Sequence, residues 1–274
     1  MMNQSNDGTY SHGYASAAMD ILRRRTADRA ASFLPPHLQA GMTVLDCGSG
    51  PGSITVGLGK VVQPGAVIGI DIAPSQVEMA SQYAEQLTAS NVSFQTASMT
   101  ALPFPDSSFD VVFSNAGVQH LREPLAGLRE MYRVLKPGGL IGIRNDDRGV
   151  DLIMDPLDPL VKRTWRLFLR LWELDGGHPT FGRRQRAALR AAGFIKVRGS
   201  ASTEFHGDPE STRWWGETLG GHWRSPEFGE RVTGLGWATP EEVTQMSDAW
   251  RRWGQHPDAY WAEVWCEAIG WKPE

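Results

Sequence analysis

Short β-branched runs alternate with helix-patterned stretches from about residue 40 to residue 145, and that alternation leaves few folds open. Thr43–Cys47, Ala66–Asp71, Val92–Thr96, Phe109–Ser114 and Leu140–Arg144 read as strands. Helical patterns lie between them near Ser53–Val61, Ser75–Leu87 and Pro124–Leu135, the last stopped by Lys136-Pro137-Gly138-Gly139. Parallel neighbours need crossover connections, and those connections are almost always right-handed. The pattern therefore predicts an α/β, Rossmann-like, doubly wound parallel sheet.

The flanks read differently. Ala15–Phe33 is patterned as a helix ended by Pro35-Pro36. Arg186–Ala192 predicts another helix, stopped by Gly193, with Phe194–Val197 as a sixth strand. Ala259–Ala268 alternates as a seventh, with Tyr260, Ala262, Val264 and Cys266 on one face. The pieces between, Asp151–Gly182 and His206–Pro257, read as helical insertions that cover the sheet's C-terminal edge. This divides the chain into an N-terminal helical cap (1–36), a ligand-binding core (37–150), and lid insertions with the remaining helix and strands (151–274).

A run of glycines narrows the function. Val44-Leu45-Asp46-Cys47-Gly48-Ser49-Gly50-Pro51-Gly52 ends the first strand and opens a helix, where an α/β sheet places its ligand. Asp71 follows Gly52 by 19 residues and ends the second strand, where an acid can accept both hydroxyls of an adenosine ribose. Dinucleotides put a pyrophosphate at such a helix start, because the helix dipole favours negative charge. Here Asp46 would face the same cleft. Two unit charges ~4 Å apart interact by about 4 kcal/mol at an effective dielectric of about 20. A carboxylate there repels a pyrophosphate and attracts the sulfonium and ammonium of S-adenosyl-L-methionine. The spacing Gly48-x-Gly50-x-Gly52 also departs from the dinucleotide G-x-G-x-x-G.

On these residues the chain resembles the class I S-adenosylmethionine-dependent methyltransferases, near the ubiquinone/menaquinone-biosynthesis type. Asp46 to Gly52 and Gly69-Ile70-Asp71-Ile72 carry the likeness, with Leu102-Pro103-Phe104-Pro105-Asp106, Phe109-Asp110-Val111-Val112 and Arg133 to Gly139. The resemblance implies a seven-stranded sheet whose last strand is antiparallel. It implies that the cofactor's methionine part meets Asp46, Gly48, Ser49, Gly50 and Gly52. It puts the ribose on Asp71, with Ile72 and Gln76 beside the adenosine. The adenine edge falls to Ala97-Ser98-Met99, where Ser98 stands in place of the family's aspartate and Met99 packs on the purine. Asn115 and Ala116 line the cofactor, His120 lies near the methyl group, and Tyr14 belongs to an N-terminal lid.

Methyl transfer is an in-line displacement on carbon already activated by positive sulfur. Positioning can supply ~7–11 kcal/mol of the barrier, and a base is needed only when the acceptor must lose a proton. His120 is the candidate general base, since an ordinary imidazole titrates near pH ~6.5; local packing is its other reading. Gln119 at the same edge and Asn145 in Arg144-Asn145-Asp146-Asp147 are candidate substrate contacts. All 11 tryptophans lie between Trp165 and Trp271. Trp165, Phe168 and Trp172 share one helical face, which suggests a pocket for an aromatic or polycyclic metabolite, although an ordinary core for the insertions would use the same residues.

Composition excludes other classes. A net charge of −4 argues against a nucleic-acid partner. The 2 cysteines cannot build a disulfide framework or a thiolate zinc site, and the histidines are too scattered for a metal. Residues 1–14 lack the apolar core of a signal peptide, and no apolar run reaches membrane-spanning length. The expectation is a cytoplasmic, metal-free monomer or homodimer that methylates a small molecule of secondary metabolism. The alternative is a non-methylating catalyst that retains the cofactor and templates a cyclisation or rearrangement.

Overall fold

The computed structural model describes residues 21–149 and 152–274. Its strands are β1 (Val44–Cys47), β2 (Val67–Asp71), β3 (Val92–Thr96), β4 (Phe109–Asn115), β5 (Leu135–Asp146), β6 (Ile153–Asp155), β7 (Ile195–His206) and β8 (Tyr260–Trp271). They form one sheet of 8 strands in the order β3-β2-β1-β4-β5-β8-β6, with β7 on the other edge of β8. β1 to β5 pair in parallel, and β8 runs antiparallel to β5, β6 and β7.

Helices α2 (Ser53–Val62), α3 (Pro74–Gln86) and α4 (Pro124–Val134) are crossovers, and α6 (Phe181–Ala191) leads into β7. Above the sheet lie α5 (Pro159–Leu174), α7 (Pro209–His222), α8 (Arg231–Gly234) and α9 (Pro240–Gly254). Their starts are written locally. Asp158 accepts from Leu160 N at 2.7 Å, Asp208 accepts from Ser211 N at 2.8 Å, and Thr239 with Glu242 closes a capping box. Each of α5, α7 and α9 carries proline in its first turn, where no backbone donor is lost.

Three expectations change. The N-terminal helix does not run on to Phe33: residues 21–23 are helical, Thr26 is extended, and α1 (Ala27–Ala30) restarts the turn. β6 is an extra short strand that prolongs the line of β5 along β8. β7 spans 12 residues, far beyond Val197, because pairing with β8 overrides the weak strand propensity of Gly199-Ser200-Ala201-Ser202. β8 alternates as the sequence indicates, with Trp261, Glu263, Trp265 and Glu267 on its more buried face and Tyr260, Ala262, Val264 and Cys266 on the other.

That buried face connects the core to the site. Val44, Val111, Phe113 and Leu140 pack under Leu34, Ala27 and Leu58. Alternate positions share a face, so moving toward the C-terminal strand ends the same side presents Asn115, Arg144, Glu267 and Trp265. β7 extends it with Ser202, Glu204 and His206, which pair with Trp265, Glu263 and Trp261. An apolar floor thus becomes a polar and aromatic wall. The opposite sheet face is closed by α4 and α6 through Leu128, Met131 and Leu189. A separate aromatic core, including Trp223, Trp250 and Trp253, holds the upper helices together.

Candidate active site

The loop after β1 turns through three residues of positive φ: Gly48 at 79°, Gly50 at 52° and Gly52 at 84°. A Cβ on Gly48 would stand 2.9 Å from the Met99 methyl, and one on Gly52 would stand 2.8 Å from Ala80 and Phe94. Glycine is required at both, for conformation and for space. Gly48 N and Ser49 N donate to Ile70 O at 2.8 and 2.9 Å, which ties the loop to β2. Asp71 accepts from Gly50 N and Ala73 N, both at 3.0 Å, so its carboxylate joins the loop to the turn after β2.

A cleft opens over this loop. It is lined by Asp46, Gly48, Ser49, Gly50, Asp71 and Ile72 on one side. Gln76, Met99, Asn115, Ala116 and His120 line the other. Two of the expected contacts fall elsewhere. Gly52 serves the packing of α2 against α3, and Ser98 is turned into a local bend, its hydroxyl accepting from Thr100 N at 3.0 Å. Tyr14 lies outside the described residues.

The electrostatics of the cleft are set by burial. Asp46 is buried and accepts a 2.6 Å hydrogen bond from Thr55 Oγ1. Desolvation pushes its pKa up to about 7; the Thr55 bond offsets part of this, and the nearby Asp71 charge adds to it. Asp71 is also raised by desolvation, against the lowering effect of its backbone donors. Ser49 Oγ is buried without a hydrogen-bond partner. Two acids, an unsatisfied hydroxyl and tight glycines suit a guest with cationic and hydroxyl groups and are wrong for a pyrophosphate.

His120 reaches the cleft, but its ring stacks on Trp172 with centroids 4.8 Å apart and planes 19° apart. Burial, then the charges of Arg25 and Arg148, lower its pKa to about 3. A ring that holds a proton so weakly is a poor general base near neutrality. Trp172 is fully buried, so its part is to fix that ring. Gln119 is buried and lines neither the cleft nor the cavity described below, while its carbonyl accepts from His178 N at 2.8 Å. Asn145 is also buried and donates to Gln185 Oε1 at 2.9 Å, holding α6 against β5.

Beyond the cleft lies a cavity of about 730 Å³ between the β7–β8 wall and the upper helices. Trp165 and Phe168 line it, without Trp172 of the same helical stripe, and are joined by Trp215, Trp223, Trp261 and Trp265. Within this aromatic lining sits an ion network. Arg144 donates to Glu204 at 2.7 Å and stacks 3.9 Å over Trp265. Arg148 pairs with Glu263 and with Asp146. Several buried polar atoms on residues of the lining have no hydrogen-bond partner: Arg144 Nε, Trp165 Nε1, Trp265 Nε1, His206 Nε2 and His222 Nε2. Buried polar groups are rarely left unpaired. Among the described residues, Arg25 alone lines both the cleft and the cavity.

Arg25 and the β7–β8 wall escape a reading of sequence motifs. The available signal was period two: Ser200, Ser202, Glu204 and His206 alternate, as do Trp261, Glu263, Trp265 and Glu267. Both runs look solvent-facing until the lid covers them. Among the described residues no group of three or more His, Cys, Asp or Glu is placed to hold a metal, and no helix is long and apolar enough to cross a membrane.

Comparison with known proteins agrees with this geometry. A sequence model of the methyltransferase domain matches residues 38–173. An uncharacterised methyltransferase of Schizosaccharomyces pombe is 31% identical over 258 residues, covering 89% of each chain. A probable methyltransferase of Aspergillus luteorubrus is 29% identical over 293 residues, covering 99% of this chain and 100% of that one. The solved YcgJ protein of Bacillus subtilis superposes with a TM-score of 0.60 at 22% identity, over 89% of this chain and 98% of that one, which shows a shared fold. The chain belongs to the methyltransferase domain family. Within it, the protein is an S-adenosyl-L-methionine-dependent methyltransferase.

Proposed function

We propose that this enzyme transfers the methyl group of S-adenosyl-L-methionine to an aromatic or polycyclic small molecule, with the cofactor in the glycine-loop cleft and the acceptor in the adjoining cavity. Asp46 and Ser49 face the amino-acid end of the cofactor, Asp71 takes the ribose hydroxyls, and Ile72, Gln76 and Met99 border the adenine. Asn115 and Ala116 close the side nearest the cavity. The cofactor supplies an electrophilic methyl; the chain supplies orientation and a dry enclosure.

The observation that carries the acceptor class is the cavity lining. Tryptophans that only filled a core would leave no space between them, and here six aromatic side chains named above surround about 730 Å³. That volume suits one drug-sized ligand. Indole faces stack on flat rings, and the Arg144 and Arg148 guanidinia among them suit oxygen substituents.

Incubation with S-adenosyl-L-methionine and a panel of hydroxylated polycyclic aromatics tests the proposal. A methylated product with one S-adenosylhomocysteine formed per turnover is expected. Product formed without S-adenosylhomocysteine would instead support the templating reading. Turnover of aliphatic acceptors alone, with tryptophan fluorescence unmoved by every aromatic, would overturn the acceptor class.

A further inference from the structure

The junction between cleft and cavity carries a cation that has no counter-ion among the described residues. Arg25 packs its guanidinium 5.1 Å from the centre of the Trp265 ring, inside the cavity, and it acts electrostatically on His120 in the cleft. Its place is fixed: the Arg25 carbonyl accepts from Ser53 Oγ at 2.6 Å, at the first residue of the helix that follows the glycine loop. Arg144 is matched by Glu204 and Arg148 by Glu263 and Asp146, whereas Arg24 and Arg29 line the cavity away from the cleft without an ion pair among the described residues. Among the described residues no carboxylate lies within ion-pair distance of Arg25. Its field instead opposes the charge on Arg144 and the protonation of His120. A cation in this position is unfavourable beside a sulfonium unless an anion comes between them.

We propose that the acceptor reaches the methyl group as an oxyanion, a carboxylate or an acidic phenolate, held against Arg25. The inference rests on the aromatic-acceptor reading above. It also fits the weak basicity of His120, since an acceptor that arrives deprotonated needs no base. During transfer a lone pair on the acceptor oxygen forms the O–C bond. The electrons of the breaking C–S bond return to sulfur. One positive and one negative charge disappear together, no proton moves, and Arg25 stays protonated throughout. Arg25 positions the nucleophile and keeps it ionised, which makes the enzyme an O-methyltransferase for anionic aromatics.

The test uses 2-naphthoate, with 2-naphthamide as its uncharged analogue, titrated by tryptophan fluorescence into the full chain saturated with S-adenosylhomocysteine. Runs with 2-naphthol below and above its phenol pKa, near ~10, separate a carboxylate site from a phenolate site. The wild-type chain should bind 2-naphthoate roughly tenfold tighter than the amide, and Arg25→Gln should erase that preference while Arg25→Lys keeps part of it. Arg25→Gln should also shift affinity toward S-adenosyl-L-methionine over S-adenosylhomocysteine by several-fold, because removing a cation favours the sulfonium. Structural damage would weaken both cofactors alike. Equal binding of acid and amide by the wild-type chain, or a cofactor ratio unmoved by Arg25→Gln, overturns the proposal while the aromatic reading stands. Binding of neither naphthalene overturns both.

Discussion

The carboxyl of Asp46 should make cofactor binding release a proton. In the free protein burial pushes its pKa up to about 7, so near pH ~6 only about a tenth of molecules carry the charge, and near pH ~8 about nine-tenths do. A sulfonium and ammonium beside it favour the ionised form. If binding requires the carboxylate, apparent affinity rises about tenfold from pH ~6 to ~8, and about ninetyfold from pH ~5 to ~8. Isothermal titration calorimetry in two buffers of different ionisation enthalpy measures both the affinity and the protons released. Asp46 is expected to release close to one proton per cofactor near pH ~6 and close to none near pH ~8.5. The ligand's own ammonium, with a pKa near ~8, titrates at the other end of the range. Asp46→Asn retains that contribution and should lose the rise below pH ~7.

The same group bears on stability with a definite sign. Its folded pKa is raised, so the fold binds a proton that the unfolded chain releases between pH ~4 and ~7, and stability falls as pH rises through that window. A shift of about three units corresponds to about 4 kcal/mol, lost in full above pH ~7. Asp46→Asn should therefore melt higher than the wild-type chain at pH ~8 in the absence of cofactor, while binding it less well. An affinity that stays flat from pH ~5 to ~8, with no proton released, would refute the assignment of a cationic guest to Asp46.

Three other consequences follow from burial and contact. His120, His206 and His222 are held, mainly by desolvation, to about 3, 4 and 4, so the unfolded chain takes up protons that the fold refuses, and stability should fall as pH drops from ~6.5 toward ~4; melting curves of His222→Gln over that range should decline less steeply. Gly52→Ala forces a Cβ to 2.8 Å from Ala80 and Phe94 at φ 84°, and chemical denaturation should register a loss of about 2–4 kcal/mol. Glu263→Ala leaves the buried Arg148 with Asp146 alone, and a loss of about 3–5 kcal/mol is expected from thermal melts, with Glu263→Gln intermediate.

The cofactor half of the molecule was legible because its signals are local. Glycines at positive φ, a strand-ending acid and a Pro-Gly-Gly stop act within a few residues of themselves, so β1 to β4 and the loop that carries Asp46 and Gly48 could be read directly, with Asp71 at the end of β2, whereas Met99 was reached only through the family resemblance. The acceptor half depends on pairs far apart in sequence. Glu204 and Glu263 are neighbours only because β7 pairs with β8, and they face inward only because α5, α7 and α9 cover that side. Alternating Glu and Trp normally signals one wet face and one dry face. Here the charges share the dry face with the indoles. Asn145 misled for a related reason: a polar residue at a strand end looks like a ligand contact, yet α6 claims its amide through Gln185.

An ion network placed on a buried sheet face is a poor way to gain stability, because desolvation of each charge offsets much of the attraction between them. Apolar residues at Arg144, Glu204, Arg148 and Glu263 would continue the core that Val111, Phe113 and Leu140 begin below. They would also fill the space. Paired charges stiffen one another and hold the indoles of Trp165 and Trp265 by cation–π contact at 4.9 and 3.9 Å, so the wall stands open without collapsing inward. Beside that matched set Arg25 has no partner among the described residues, and it is the unmatched arginine that lies where cleft and cavity meet. A charge without compensation among the described residues is most simply balanced by the ligand.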